Sequence, residues 1–159
     1  MIIKEYDRIK ALEYCKQYAL SRNPAYYDFD LIGGDCTNFV SQCIYAGSSV
    51  MNFTKDVGWY YVSSYDRTAS WTGVQFLYKF LTTNKGVSVF AKEVEKSNID
   101  IADVIQLGSN DVFYHSLFVS DILGGNIYVS THTKDAFNRP LNSYFYNQIR
   151  FLHIEGVRI

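Results

Sequence analysis

Residues 33–43 read GGDCTNFVSQC. Cys36, Phe39, Val40 and Cys43, with Ile44 just beyond, recur at three- and four-residue steps. That spacing is one face of a helix. Asp35 stands where an N-cap belongs, and Gly47 is the expected C-terminal stop. The stretch therefore predicts a helix that opens near Asp35, with Cys36 at its open end and Cys43 in its middle. Residue type alone reads both thiols as core, because free cysteine is commonly buried. Position separates them. At the helix start a thiol meets the positive end of the macrodipole, which favours thiolate, and unpaired backbone N–H groups that can hold an oxyanion.

Working outward, the pattern predicts a helix-rich first half and a strand-rich second half. Ile3 to Ser21 carries Tyr6, Ile9 and Leu12 at three-residue spacing, with Ala11, Cys15, Tyr18 and Ala19 continuing the apolar stripe, and Asn23-Pro24 ends it. Thr72 to Thr83 carries Val74, Phe76, Leu77, Phe80 and Leu81, followed by Gly86. Strands are expected at ADVIQLG from about Ala102, at VFYHSLFVSDI, at NIYVSTHT and at IRFLHIEG. This segregation implies an α+β fold, N-terminal helices packed on a small antiparallel sheet. Gly124-Gly125 between two β-rich runs signals a hairpin.

The hairpin brings histidines into play. With Gly124 and Gly125 as turn residues, Leu123 faces Asn126, His115 faces Lys134, and His132 faces Leu117. Side chains alternate along a strand, so His115 and His132 share a face, roughly 5–8 Å apart as diagonal neighbours. A one-residue slip or a bulge breaks that parity. A helix-start cysteine with a histidine base and a second polar group to orient it is the pattern of nucleophilic acyl transfer. Cys36, His115 and His132 are the expected catalytic set. Cys15, Cys43 and His153 read as structural. Trp59, Trp71, Tyr26 and Tyr27 read as packing residues, with Tyr27 and Trp71 at the edge of a groove.

Composition bounds the alternatives. The chain has 159 residues, 48% hydrophobic and 19% charged, which fits one domain over 1–159. Fifteen basic and 16 acidic residues leave a net charge of -1, against a nucleic-acid footprint. Three cysteines make a poor disulfide framework, and their spacing fits no zinc pattern. No metal or cofactor is called for. No apolar run is long enough to span a bilayer, and MIIKEYDRIK has no signal-peptide core. A soluble chain without its own export signal is expected, as a monomer or as one domain of a longer exported protein. Without a resolving Cys-x-x-Cys, and with Cys43 about 10 Å along the helix from Cys36, a redox module is disfavoured. An acyl or peptidyl transferase and a non-catalytic binding module stay open. Water-versus-amine products separate the first from a hydrolase, and thiol reactivity separates the second.

The segments YYDFDLIGGDCTNFVSQCIYAG, GWYY, SWTGVQFLYKFL, ADVIQL, FYHSLFV, IYVSTHTKD and RPLNSY together resemble the bacterial putative amidase domain family. That family is similar to CHAP and NlpC-type cell-wall hydrolases. The resemblance runs from about Tyr6 to Ile154. It implies a papain-like fold, Cys36 as nucleophile and His115 as base and acid. It implies a third residue on the following strand, His132 or, just beyond it, Asp135. Asp35 matches the acid before the cysteine, and Tyr27 or Tyr26 a site tyrosine. It also implies peptidoglycan amide bonds as substrate, muramoyl–alanine or stem-peptide, and work at the bacterial cell wall, outside the cell or at spore or septum, beside a wall-binding domain where one is present.

Overall fold

Alternation along residues 104–119 divides apolar side chains between two faces of one sheet. Val104 and Phe118 join the larger core, whereas Ile105, Leu107, Leu117 and Val119 form a second, smaller cluster. A computed structural model describing residues 1–159 gives the elements around this divide. They are β1 (Ile3–Lys4), α1 (Arg8–Tyr18), α2 (Cys36–Ser48), β2 (Tyr61–Ser63), β3 (Asp66–Arg67), α3 (Ala69–Thr72), α4 (Val74–Thr83) and β4 (Ser88–Val94). Then follow β5 (Val104–Ser109), β6 (Val112–Leu123), β7 (Asn126–Thr131), β8 (Ala136–Pro140) and β9 (Gln148–Arg158). The fold is α+β.

Strand β9 is central. It pairs with β4 along one edge and with β5 and β1 along the other, and the sheet continues through β6 and β7 to β8. Every pairing is antiparallel. The helices cover the face that carries Val104, Phe118, Leu152 and Ile154. Leu141 and Tyr144, from the segment before β9, close the other face.

Several boundaries differ from expectation for identifiable reasons. The first helix is shorter than Ile3 to Ser21. Ile3 and Lys4 are taken by β9, pairing with Arg158 and Val157, and Asp7 caps the helix by accepting from the Lys10 N–H at 3.0 Å. Its buried face is Ala11, Cys15 and Ala19, while Ile9 is 72% exposed. Gly47 is not a stop but part of the last turn of α2. A Cβ there would lie 2.6 Å from the Asp7 carbonyl oxygen, so its bareness lets the chain before α1 cross the helix. The third expected helix is two, α3 and α4, broken at extended Gly73. Strands β1, β4 and β8 were not expected. They are short or mixed in polarity and are defined by pairing rather than pattern.

Helix α2 is buried almost all round, from Cys36 through Ile44. Its polar side chains therefore need partners. Ser41 Oγ donates to the Trp71 carbonyl at 2.9 Å and accepts from Trp59 Nε1 at 3.1 Å. Asn38 donates to the Tyr27 carbonyl and to Asp35, each at 2.9 Å. The helix is thus fixed in rotation, which fixes where Cys36 points.

Candidate active site

Gly33 and Gly34 precede α2 with φ of 84° and 96°, the left-handed region that glycine enters without strain. A Cβ on Gly34 would sit 3.0 Å from Thr133 Oγ1, the atom that accepts the Asp35 N–H at 2.9 Å. The two glycines thus bring the helix start against the loop after β7.

Asp35 occupies the N-cap position, but its side chain does not cap the helix. It is 1% exposed. Oδ1 accepts from the Phe29 N–H at 2.8 Å and from Asn38 Nδ2 at 2.9 Å, and Oδ2 accepts from His132 Nδ1 at 2.5 Å. His132 Nε2 donates to the Tyr18 carbonyl at 2.8 Å, at the end of α1. Nε2 faces a carbonyl and so carries a proton, and Nδ1 shares one with the Asp35 carboxyl. Its ring stacks on Phe39 of α2, centroids 4.2 Å apart. His132 therefore ties the C-terminal end of α1 to the start of α2.

This placement corrects the expected histidine pair. The Gly124–Gly125 turn forms, and Leu123 faces Asn126. Asp121 still faces Tyr128, but Val119 faces Val129, so Ser120 is an extra residue on β6. Continuing past this bulge, His132 falls opposite Ser116 rather than Leu117, and the parity flips. His115 faces Leu107 across the β5–β6 ladder, on the side of the smaller cluster, whereas His132 lies on the helix side with Phe39. No hydrogen bond joins them. Asp135, the other expected third residue, is held by Arg22 at 2.8 and 3.0 Å instead.

Cys36 is 7% exposed. Burial pushes its thiol above the ordinary cysteine range, and the Asp35 charge adds to that. The Ser116 N–H, the Thr37 hydroxyl and the Thr37 N–H pull the other way. The expected depressed thiol is therefore not the resting state, because desolvation outweighs the helix end. Thr37 Oγ1 lies 3.8 Å from Cys36 Sγ and 2.9 Å from Ser116 Oγ. Ser116 is the residue after His115; its hydroxyl faces Thr37 on the helix side, so by alternation the His115 side chain leaves the other face of β6, and no hydrogen bond joins it to Cys36. From Ser116 a buried polar chain runs to Gln106 at 3.2 Å and on to Arg150 at 2.9 Å.

His115 makes no hydrogen bond to the protein. Burial, and then the positive charge of Arg139, push it down to about 4. Its ring lies 6.0 Å from that of Tyr144, and the Arg139 guanidinium sits 3.8 Å over the same Tyr144 ring. At neutral pH the site holds a neutral thiol and a neutral imidazole.

Tyr27 is 45% exposed beside the helix start, with its carbonyl on Asn38. Trp71 does not line a groove. It is 0% exposed and reaches the site only through Asn38 Oδ1, at 3.0 Å from Nε1. Cys15 and Cys43 are fully buried, and all three cysteines are free. His153 bonds Asp103 at 2.7 Å beside the widest surface cavity, about 670 Å³, whose walls include neither Cys36 nor His115. No three His, Cys, Asp or Glu side chains converge as a metal cage. No helix is long and apolar enough to cross a membrane.

Thr37, Ser116, Arg139 and Tyr144 had no assigned role in the sequence reading. Thr37 and Ser116 adjoin Cys36 and His115, which was the available signal. Arg22 was also missed. It is surrounded by Asp28, Asp30, Asp35 and Asp135 at 2.5–3.7 Å. Burial works against its charge, but Asp135 and Asp30 hold it protonated.

Comparison with known proteins speaks at the level of family. The chain is 35% identical over 83 residues to "Uncharacterized protein YhbB" of Bacillus subtilis (strain 168), covering 51% of this chain and 25% of that protein. It is 27% identical over 147 residues to "Uncharacterized protein YjcM" of the same organism, covering 87% of this chain and 33% of that protein. The chain thus spans a third or less of these relatives' length. No solved structure matches it. The profile of the putative amidase domain matches residues 5–154, taking in α2, the β6–β7 hairpin and most of β9, and by that match the chain belongs to the putative amidase domain family.

Proposed function

We propose that this chain is a cysteine-dependent amidase or peptidase that hydrolyses an amide bond of bacterial peptidoglycan. The fold is then papain-like, a nucleophile helix on an antiparallel sheet, akin to CHAP and NlpC-type hydrolases. One observation carries the reading. Cys36 opens α2 with Thr37 Oγ1 3.8 Å from its thiol and 2.9 Å from Ser116 Oγ, on the strand that also carries His115.

His115, which rests by Tyr144, turns to the thiol and takes the Cys36 proton as the sulfur attacks the amide carbonyl. An imidazole neutral at working pH is ready to do so. The Cys36 N–H, free at the helix start, holds the oxyanion. His115 returns the proton to the leaving amine, and water then cleaves the thioester with His115 as base. His132 and Asp35 are positioning residues that brace the helix start. The site works at the bacterial cell wall, as part of a longer protein or beside a wall-binding domain.

The test is digestion of purified peptidoglycan by wild-type and Cys36→Ser protein, with mass spectrometry of the new termini. New amine and carboxyl ends with the wild type alone support the reading. Lysis by a folded Cys36→Ala variant sinks it. The low exposure of Cys36 favours one rival, a non-catalytic wall-binding module. That version predicts wall binding without new termini, and a thiol that iodoacetamide modifies no faster than Cys15 or Cys43.

A further inference from the structure

Arg139 stands out among the charged groups near His115. Arg8 and Arg22 are paired with aspartates, but no carboxylate approaches Arg139. Its head is nonetheless held in place. Nε donates to Ser143 Oγ at 2.8 Å, Nη2 donates to the Ser143 carbonyl at 3.0 Å, and the plane lies over Tyr144. Ser143 Oγ is itself fixed by donating to the Pro140 carbonyl at 2.7 Å. Nη1 donates to no protein atom and is not sealed from solvent. Beside it the Tyr144 hydroxyl is buried without a partner. A guanidinium fixed on two nitrogens, open on the third and lacking a counter-ion is an oxyanion receptor.

We propose that Arg139 binds a carboxylate of the substrate beside His115, making this site selective for acidic peptides. The proposal rests on the hydrolase reading above and adds the class of substrate to it. It also gives Arg139 a second effect. In the free protein its charge disfavours a proton on His115. A bound carboxylate cancels that charge, so the base strengthens only when a matching substrate is seated. Tyr144, touching both side chains, places the carboxylate on the histidine side of the site.

The test uses Cys36→Ala protein, which binds without turnover, and three probes. Acetyl-Ala-Glu-amide carries a side-chain carboxylate, acetyl-Ala-Gln with a free C-terminus carries a terminal one, and acetyl-Ala-Gln-amide carries neither. Calorimetry is expected to show one carboxylate probe binding about tenfold tighter than the neutral probe. The arm that wins identifies the carboxylate. The His115 Hε1 resonance should titrate at higher pH in that complex. Adding Arg139→Met should abolish the preference, and Arg139→Lys should retain part of it, with circular dichroism confirming both folds. Equal binding of all probes, no binding up to their solubility, or a preference that survives Arg139→Met overturns the proposal. A carboxylate preference together with wild-type protein that leaves peptidoglycan intact sinks the hydrolase reading but not the Arg139 site.

Discussion

His115 and His132 lie near the two open ends of one hairpin, yet their surroundings are opposite. His132 is 1% exposed, and both its nitrogens are bonded, to Asp35 and to Tyr18. His115 has no bonded nitrogen, lies beside an arginine and adjoins the residue whose N–H faces Cys36. A histidine with every hydrogen bond committed is an architectural clamp. One with none is available to exchange a proton. The lesson is to ask of each ring nitrogen what already holds it before assigning catalysis by proximity.

The comparison breaks first on activity. His115→Ala is expected to lower the rate of peptidoglycan cleavage by about 10²–10⁴-fold with little change in melting temperature. A variant that keeps wild-type rates would remove His115 from the mechanism. His132→Ala should do the reverse. It removes one of three hydrogen bonds from the buried Asp35 carboxyl, leaves the Tyr18 carbonyl without its partner and empties the space of a buried ring stacked on Phe39, and is expected to cost about 3–5 kcal/mol of stability, read by denaturant melts. Activity per folded molecule should fall far less than with His115→Ala. An unchanged midpoint would show that the clamp contributes nothing.

A smaller effect sharpens the contrast through pH. In the unfolded chain His115 takes a proton below its ordinary 6.5, and in the folded protein only near 4. Between those values the unfolded state binds more protons, so stability falls as pH drops from 6.5 towards 4 and the loss is complete below that. The contribution is up to about 3 kcal/mol. His115→Gln should flatten this part of the stability curve, and an unaltered slope would assign it to other groups. Smallest is the thiol itself. Because burial raises Cys36, its alkylation by iodoacetamide should remain slow at neutral pH and rise only above about pH 9. Thiolate-like reactivity at pH 7 would mean that His115 already holds its proton.

The pattern around GGDCTNFVSQC placed the start of α2 to within a residue, because a strict helical period combined with two glycines leaves few other conformations. The Gly124–Gly125 turn was legible for a similar reason, since positive φ at two successive residues defines a tight hairpin. The quoted segments, taken in order, carried the resemblance to the family. Ile9 is exposed because Tyr6, Ile9 and Leu12 recur at three-residue steps, which drift off the α1 face that buries Ala11, Cys15 and Ala19 at four-residue steps. Trp71 was placed at a groove because an indole suits a core and a cleft equally.

Sequence alone determined that one cysteine opens a helix, that a histidine-bearing hairpin follows, and that the class is α+β. Those properties depend on neighbours within a few residues. Only the tertiary structure decided which histidine is free. That choice turns on Ser120, a single bulged residue that reverses the facing of everything beyond it, and bulges leave no periodic mark. It decided too that the thiol rests neutral, because desolvation is set by packing from every side and not by position along the helix. Arg139 came last into view, since an arginine without a counter-ion is recognised only when all its neighbours are known.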